Sequence, residues 1–281
     1  MYEVFYGLRS RPFGKSPDPA FLYASPGHAE ALARLITAAE DRDLAVLTGA
    51  VGLGKTTLTR ALVDGLAARF GGQAHVVLLV NPRVTSVELL DLLAERLGVT
   101  VAKSRSRVRL LDGILARLYD IHAGGGLALL IVDEAHLLPS RAVFEELRLL
   151  LNLTLDDMAL LGLLLVGQEE LRARLGKKDL RALAQRVGVA FHLEPFDRPE
   201  VARYVEHRLA VAGRVEPLFT EDAVDALHRV SDGVPRRINV LAQASLLVGF
   251  GLEAARIDAA IVDDVWNDLR SHLGAAFAGG R

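Results

Sequence analysis

The chain has 281 residues, more than the ~100–200 of one compact domain, so one large domain or two unequal ones is expected. Apolar residues make up 51 % of it, enough for a substantial core, and a net charge of −2 provides no global field toward nucleic acid or anionic lipid. With no cysteine there is no disulfide, thiolate metal site or cysteine nucleophile, which fits a reducing compartment.

The N-terminus, "MYEVFYGLRSRPFGKSPDP", lacks the apolar core of a secretory signal. No run approaches the ~20 apolar residues of a bilayer span. A cytoplasmic protein is expected, one that meets the inner face of a membrane only through a partner. The following "PFGKSPDPAFLY" is proline-rich with aromatics and reads as an ordered arm. Residues 1–43 are therefore expected to form an arm and first helix packed on the body that follows.

Five short apolar runs come next, Leu44–Thr48, His75–Val80, Leu127–Val132, Leu160–Val166 and Val189–Leu193, alternating with segments of helical period. The pattern predicts an α/β fold with a five-stranded parallel sheet flanked by helices. Because the runs are apolar throughout, each should be covered on both faces. "TSVELLDLLAERLG" shows a capping box, Thr85 with Glu88, and then Leu89, Leu92, Leu93 and Leu97 on one face. After Pro195 only helical patterns remain. Asp197 (with Pro199), Thr220, Pro235 and Asp258 are candidate helix starts. The expected division is an α/β domain over 44–195 and a small all-helical domain over 196–281.

Between the first strand and its helix lies "GAVGLGKTT", the phosphate-binding pattern G-x-x-x-x-G-K-[ST]. Glycines let the backbone N–H groups of Gly49, Ala50, Val51, Gly52, Leu53, Gly54, Lys55, Thr56 and Thr57 turn toward phosphate oxygens, and the helix presents its positive end to the same anion. Lys55 is the candidate to reach the β- and γ-phosphates of ATP, and Thr56 the candidate Mg²⁺ ligand.

The third run ends in "VDEAH". Two carboxylates leaving an apolar strand are costly without a cation or donors nearby. Asp133 is the candidate Mg²⁺-associated acid and Glu134 the candidate general base for the attacking water. His136 reads first as a packing or loop residue. Gln168, after the fourth run, is either a γ-phosphate or water contact or an ordinary helix start.

With "LAQRVGVAFHLEPF" and "GVPRRIN" added, nearly the whole chain resembles the AAA+ ATPases of the ExeA (general secretion pathway protein A) type. That resemblance implies a P-loop NTPase domain with a helical lid, ATP and Mg²⁺ at subunit interfaces, and a homo-oligomeric ring or filament. It implies Lys55 and Thr56 in Walker A, Asp133 and Glu134 in Walker B, Gln168 as sensor 1, and Arg236 as sensor 2. It also implies an arginine finger in "DLRALAQRVG", with Arg186 favoured because it lies just before the last strand and Arg181 as the fallback. ExeA-type proteins continue into a membrane span and a peptidoglycan-binding domain, neither of which this sequence contains. The partner is expected to be a protein of secretion, pilus or envelope assembly, with DNA as the alternative, as in the similar transposition ATPases of the TnsC and MuB kind.

Two basic stretches bear on that alternative. "AKSRSRVRLL" (Lys103, Arg105, Arg107, Arg109) and "RARLGKKDLRALAQR" can contact phosphate backbones, or can be solvated helix faces and subunit contacts. In "SDGVPRRIN", successive helical side chains diverge by about 100°. Arg236 therefore shares a polar stripe with Asn239 and Gln243 and is expected to point inward, while Arg237 faces elsewhere. The competing reading is a DNA-gripping arginine pair.

Overall fold

The computed structural model describes residues 1–14, 21, 23–99 and 106–273. Lys103, Arg105, much of the proline-rich arm and the glycine-rich C-terminal tail lie outside the described residues. The chain divides into two compact units. One is α/β and comprises Gly27–Val51 and Leu58–Leu193; the other is helical and comprises Met1–Pro26, Gly52–Thr57 and the chain from Glu194 on.

Helix α1 (Tyr2–Phe5) and helix α2 (Pro26–Glu40) precede strand β1 (Leu44–Gly49), helix α3 (Lys55–Phe70) and strand β2 (Ala74–Leu79). Helices α4 (Ser86–Arg96) and α5 (Arg107–Ala123) lead to strand β3 (Leu127–Val132) and helix α6 (Arg141–Leu150). A small hairpin, β4 (Thr154–Leu155) and β5 (Met158–Ala159), comes before strand β6 (Gly162–Gly167). Short helices α7 (Glu169–Leu175) and α8 (Arg181–Ala184) then reach strand β7 (Val187–Leu193).

The five long strands form one sheet in the order β2-β3-β6-β1-β7, every pair parallel. Leu44, Val46, Leu130, Val132, Leu163 and Leu165 project to the face that carries Leu89, Leu93, Leu110, Ile114, Phe144 and Leu147. The interior strands β1, β3 and β6 are buried at every position, as their unbroken apolar sequence requires.

The expectation of two-sided cover fails at the sheet's edges. Leu78 on β2 is 45 % exposed, and Gly188 and Ala190 on β7 are exposed. An edge strand has a neighbour on one side only, and the 7-residue α7 and 4-residue α8 are too short to roof β7. The fourth apolar run is also divided. Leu160 N–H bonds back to Leu153 O at 2.9 Å, closing the hairpin whose turn residues Asp156 and Asp157 have φ of 46° and 66°, so the strand proper begins at Gly162.

Caps follow the sequence with one exception. Thr85 with Glu88, and Asp197 with Glu200, form complete capping boxes. The Asp258 carboxylate accepts from Ile261 N–H at 3.1 Å. The Thr220 hydroxyl instead donates to Ile257 O at 3.0 Å, tying the start of its helix to a neighbouring segment rather than capping it.

The helical unit contains helices α9 (Arg198–Val211), α10 (Glu221–Ser231), α11 (Pro235–Gly251) and α12 (Ala259–Leu273). The N-terminal arm, expected on the α/β body, contributes Tyr2, Tyr6, Leu8 and Phe13 to the core of this unit, beside Val201, Leu209, Leu227, Ile238 and Leu241. The reason is polar as much as apolar. Tyr2 Oη bonds with the Gln243 side chain, Tyr6 Oη donates to Ala254 O at 3.2 Å, and the buried Arg208 donates to Pro12 O while its guanidinium lies 5.9 Å from the Phe13 ring.

Candidate nucleotide-binding and hydrolysis residues

The glycine-rich loop leaves β1 at Gly49 and enters the 16-residue helix α3 at Lys55. Gly49, Gly52 and Gly54 have φ of 155°, 89° and 94°, conformations that other residues adopt at a cost. Leu53 is buried as an apolar anchor and Lys55 is 8 % exposed, whereas Ala50, Val51 and Thr56 are exposed; Thr57 is half-buried. A loop of successive positive-φ glycines that opens a long helix suits a polyphosphate, because the helix's first N–H groups have no intrahelical partner.

Gly52 has a further neighbour. Its carbonyl accepts the backbone N–H of Arg236 at 3.2 Å, and a Cβ at Gly52 would lie 2.8 Å from Arg236 Cβ and 3.1 Å from Val234 Cγ1. Helix α11 has no side-chain N-cap, so the loop carbonyl occupies one of its orphan donors. The consensus pattern leaves this position free; the extra glycine was the only sequence signal that something comes close here.

Arg236 is exposed, with its aliphatic stem along Gly52. Arg237 pairs with Asp232 at 2.7 Å, a local ion pair at the start of its own helix. The polar stripe that was to bring Arg236 inward is otherwise employed. Asn239 Oδ1 accepts from Tyr204 Oη at 2.8 Å, and Gln243 meets Tyr2. Burial pushes the Tyr204 hydroxyl's pKa up, keeping it a neutral donor.

Gly49, Asp133 and Gln168 stand at or just beyond the C-terminal ends of β1, β3 and β6, three adjacent strands of the α/β unit. Ligands of open parallel sheets bind at this end. Asp133 is 9 % exposed, its N–H bonds to Leu79 O, and its carboxylate accepts the N–H of Glu134 at 2.9 Å. Glu134 has φ of 50°, which turns its side chain out of the strand direction and leaves it 42 % exposed.

Gln168 is the N-cap residue of α7 but its side chain makes no cap bond. The amide turns instead toward Glu134 Oε2, 3.5 Å away, and His136 Nε2, 3.3 Å away. His136 Nδ1 lies 3.4 Å from Glu134 Oε2, and the His136 side chain is 10 % exposed. Nothing in the sequence between Glu134 and Gln168 signalled that contact.

Arg186 lies elsewhere. It precedes β7, at the N-terminal end of the parallel sheet, and donates to Leu151 O at 3.2 Å. A strand of 7 residues spans about 20 Å, so Arg186 does not reach the carboxyl-end groups of its own chain. Arg181, on α8, is exposed.

A glycine-rich loop between a buried strand and a helix, with an acid pair at the end of a nearby strand of the same sheet, defines the P-loop nucleoside triphosphatases. Residues 38–175 match the AAA domain family. It is 40 % identical over 259 residues to General secretion pathway protein A of Aeromonas hydrophila, covering 92 % of this chain and 46 % of that protein. The chain thus spans about half the length of the curated relative it matches.

Among solved structures, the Aeropyrum pernix ORC2 protein in its ADPNP–ADP complexes aligns with a TM-score of 0.66 and 21 % identity, over 92 % of this chain and 71 % of that one. The Thermotoga maritima RuvB Holliday junction branch migration motor aligns at 0.56 and 20 %, over 86 % and 68 %. At these identities the likeness concerns the fold. No helix among the described residues is long and apolar enough to cross a membrane.

Proposed function

We propose that the chain couples Mg²⁺-dependent ATP hydrolysis to assembly of its own oligomer and remodelling of a protein partner in secretion, pilus or envelope assembly. The observation that carries this reading is the 40 % identity to General secretion pathway protein A across 92 % of the chain.

The residues divide the chemistry among them. The backbone from Gly49 to Thr57 cradles the phosphates, and Lys55 neutralises the β- and γ-phosphates. Thr56 and Asp133 hold Mg²⁺, Glu134 takes the proton of the attacking water, and Gln168 orients that water against the γ-phosphate. Bound Mg²⁺ supplies charge neutralisation on the transferring phosphoryl group. Among the described residues no cluster of three or more His, Asp or Glu forms a metal cage. A cation held by one hydroxyl, one carboxylate and the substrate's own phosphates suits Mg²⁺. Arg236 reports nucleotide state to the helical unit, and Arg186, unable to serve its own chain, acts on a neighbour's ATP, with Arg181 as second candidate.

A DNA-binding reading rests on a different observation. Arg172, Lys177, Lys178, Arg181 and Arg186 are all exposed along one segment of the α/β unit. ATPase rate and particle size measured with and without duplex DNA across a salt series separate the two. Indifference to DNA supports the protein partner, whereas stimulation that fades steeply with salt supports a nucleic-acid partner.

A further inference from the structure

We infer that His136 is a positioning residue through which Gln168 controls the Glu134 carboxylate. The inference rests on the reading of Glu134 as general base.

Glu134 is poorly held by its own element. It follows the strand in a left-handed backbone conformation, its side chain is 42 % exposed, and its carboxylate contacts are the long approaches of Gln168 Nε2 at 3.5 Å and His136 Nδ1 at 3.4 Å. His136 is the anchored member of the three. Its side chain is 10 % exposed, and its backbone carbonyl accepts from Arg174 at 3.0 Å. Arg174 also donates to Leu138 O and stacks 4.8 Å from the Phe144 ring.

The imidazole cannot satisfy all its neighbours at once. Nδ1 faces the backbone N–H of Gln168 at 3.4 Å, a donor, and also the Glu134 carboxylate at 3.4 Å, an acceptor. Nε2 faces the Gln168 side-chain amide at 3.3 Å. With the proton on Nδ1, His136 donates to Glu134 while Nε2 accepts from the amide, closing a ring of three side chains around the carboxylate. With the proton on Nε2, His136 instead accepts the main-chain N–H of Gln168 and donates to the rotated amide, and the carboxylate is released. A shift of Gln168 on meeting a γ-phosphate therefore selects whether Glu134 is held or freed, and His136 transmits the choice.

The test uses steady-state ATP hydrolysis by the full chain and its variants, with thermal melts as the folding control. His136→Leu keeps the volume without hydrogen bonds, while His136→Asn returns a donor and acceptor near the Nδ1 position. His136→Leu should lower kcat roughly 10- to 100-fold with KM for ATP within about twofold. His136→Asn should recover part of that loss. Gln168→Ala should slow wild type markedly and slow the His136→Leu background by a smaller factor, because coupled residues are not additive. A His136→Leu variant that turns over like wild type overturns the inference, as do effects of His136→Leu and Gln168→Ala that multiply. If Glu134→Gln hydrolyses at the wild-type rate, the base assignment itself has failed and the inference falls with it. If Glu134→Gln is inactive and only the His136 results disagree, the base stands and the inference alone is wrong.

Discussion

The carbonyl of Gly52 accepts the main-chain N–H of Arg236 at 3.2 Å, so the middle of the glycine-rich loop satisfies a first-turn donor of helix α11 that no side chain caps. A loop shaped for phosphate that also caps the helix bearing Arg236 has no room for a side chain at the contact. Gly52→Ala places a Cβ 2.8 Å from Arg236 Cβ on a backbone at φ 89°. Overpacking of this kind costs about 1–3 kcal/mol. The variant is expected to melt several degrees lower and to bind a fluorescent ATP analogue more weakly. Unchanged melting and unchanged affinity would show that the loop and α11 do not constrain each other.

Gly233, in the turn before α11, is under stricter constraint. Its φ is 69°, its carbonyl accepts from Phe196 N–H at 2.9 Å, and an added Cβ would sit 2.0 Å from Phe196 O. A backbone oxygen so close cannot rotate away as a side chain can. Gly233→Ala should cost at least about 2–3 kcal/mol, read as a lowered urea midpoint. Gly7, at φ 68° with nothing within 4 Å of an added Cβ, is the matched control and should lose less on substitution by alanine.

Legibility in the sequence followed the range of the interactions involved. Strands β1, β3 and β6 were readable because complete burial demands an unbroken apolar run, and the phosphate loop because its glycines, lysine and threonine each answer a local chemical need. What was not readable depends on partners distant in sequence. The exposed faces of β2 and β7 arise from their place at the sheet's edge, and Tyr2 and Tyr6 join the helical unit through Gln243 and Ala254, more than 200 residues on. Asn239 and Gln243 illustrate the hazard. Their helical spacing with Arg236 is real, but two tyrosine hydroxyls account for them without any phosphate. The proximity of His136 to Glu134 and Gln168 was equally out of reach, since a lone histidine carries no sign of which residues converge on it.

Glu134 and Lys55 should separate binding from chemistry. Glu134→Gln removes a proton acceptor while preserving shape, so turnover is expected to fall by about 10²- to 10⁴-fold with ATP still bound. Lys55→Ala removes the cation proposed to neutralise the phosphates and should lose binding itself. Filter-binding of labelled ATP beside phosphate release distinguishes the two, and a Glu134→Gln protein with normal turnover would remove Glu134 from the chemistry.

Arg186 offers the sharpest test of action between chains. Its guanidinium donates to Leu151 O at the N-terminal end of the sheet, about a strand's length from the carboxyl-end residues of its own chain. Arg186→Ala should therefore be nearly inactive as a homogeneous preparation, although each chain keeps an intact phosphate loop. Lys55→Ala should be inactive for the opposite reason, having an intact Arg186 but no competent loop. Mixing the two creates interfaces where an intact loop faces an intact Arg186, and up to about a quarter of wild-type activity is expected to return if subunits exchange randomly and act in independent pairs. Recovery with Arg181→Ala in place of Arg186→Ala, and none with Arg186→Ala, would move the role to Arg181. If neither mixture recovers while both variants melt like wild type and form mixed oligomers, neither arginine acts in trans.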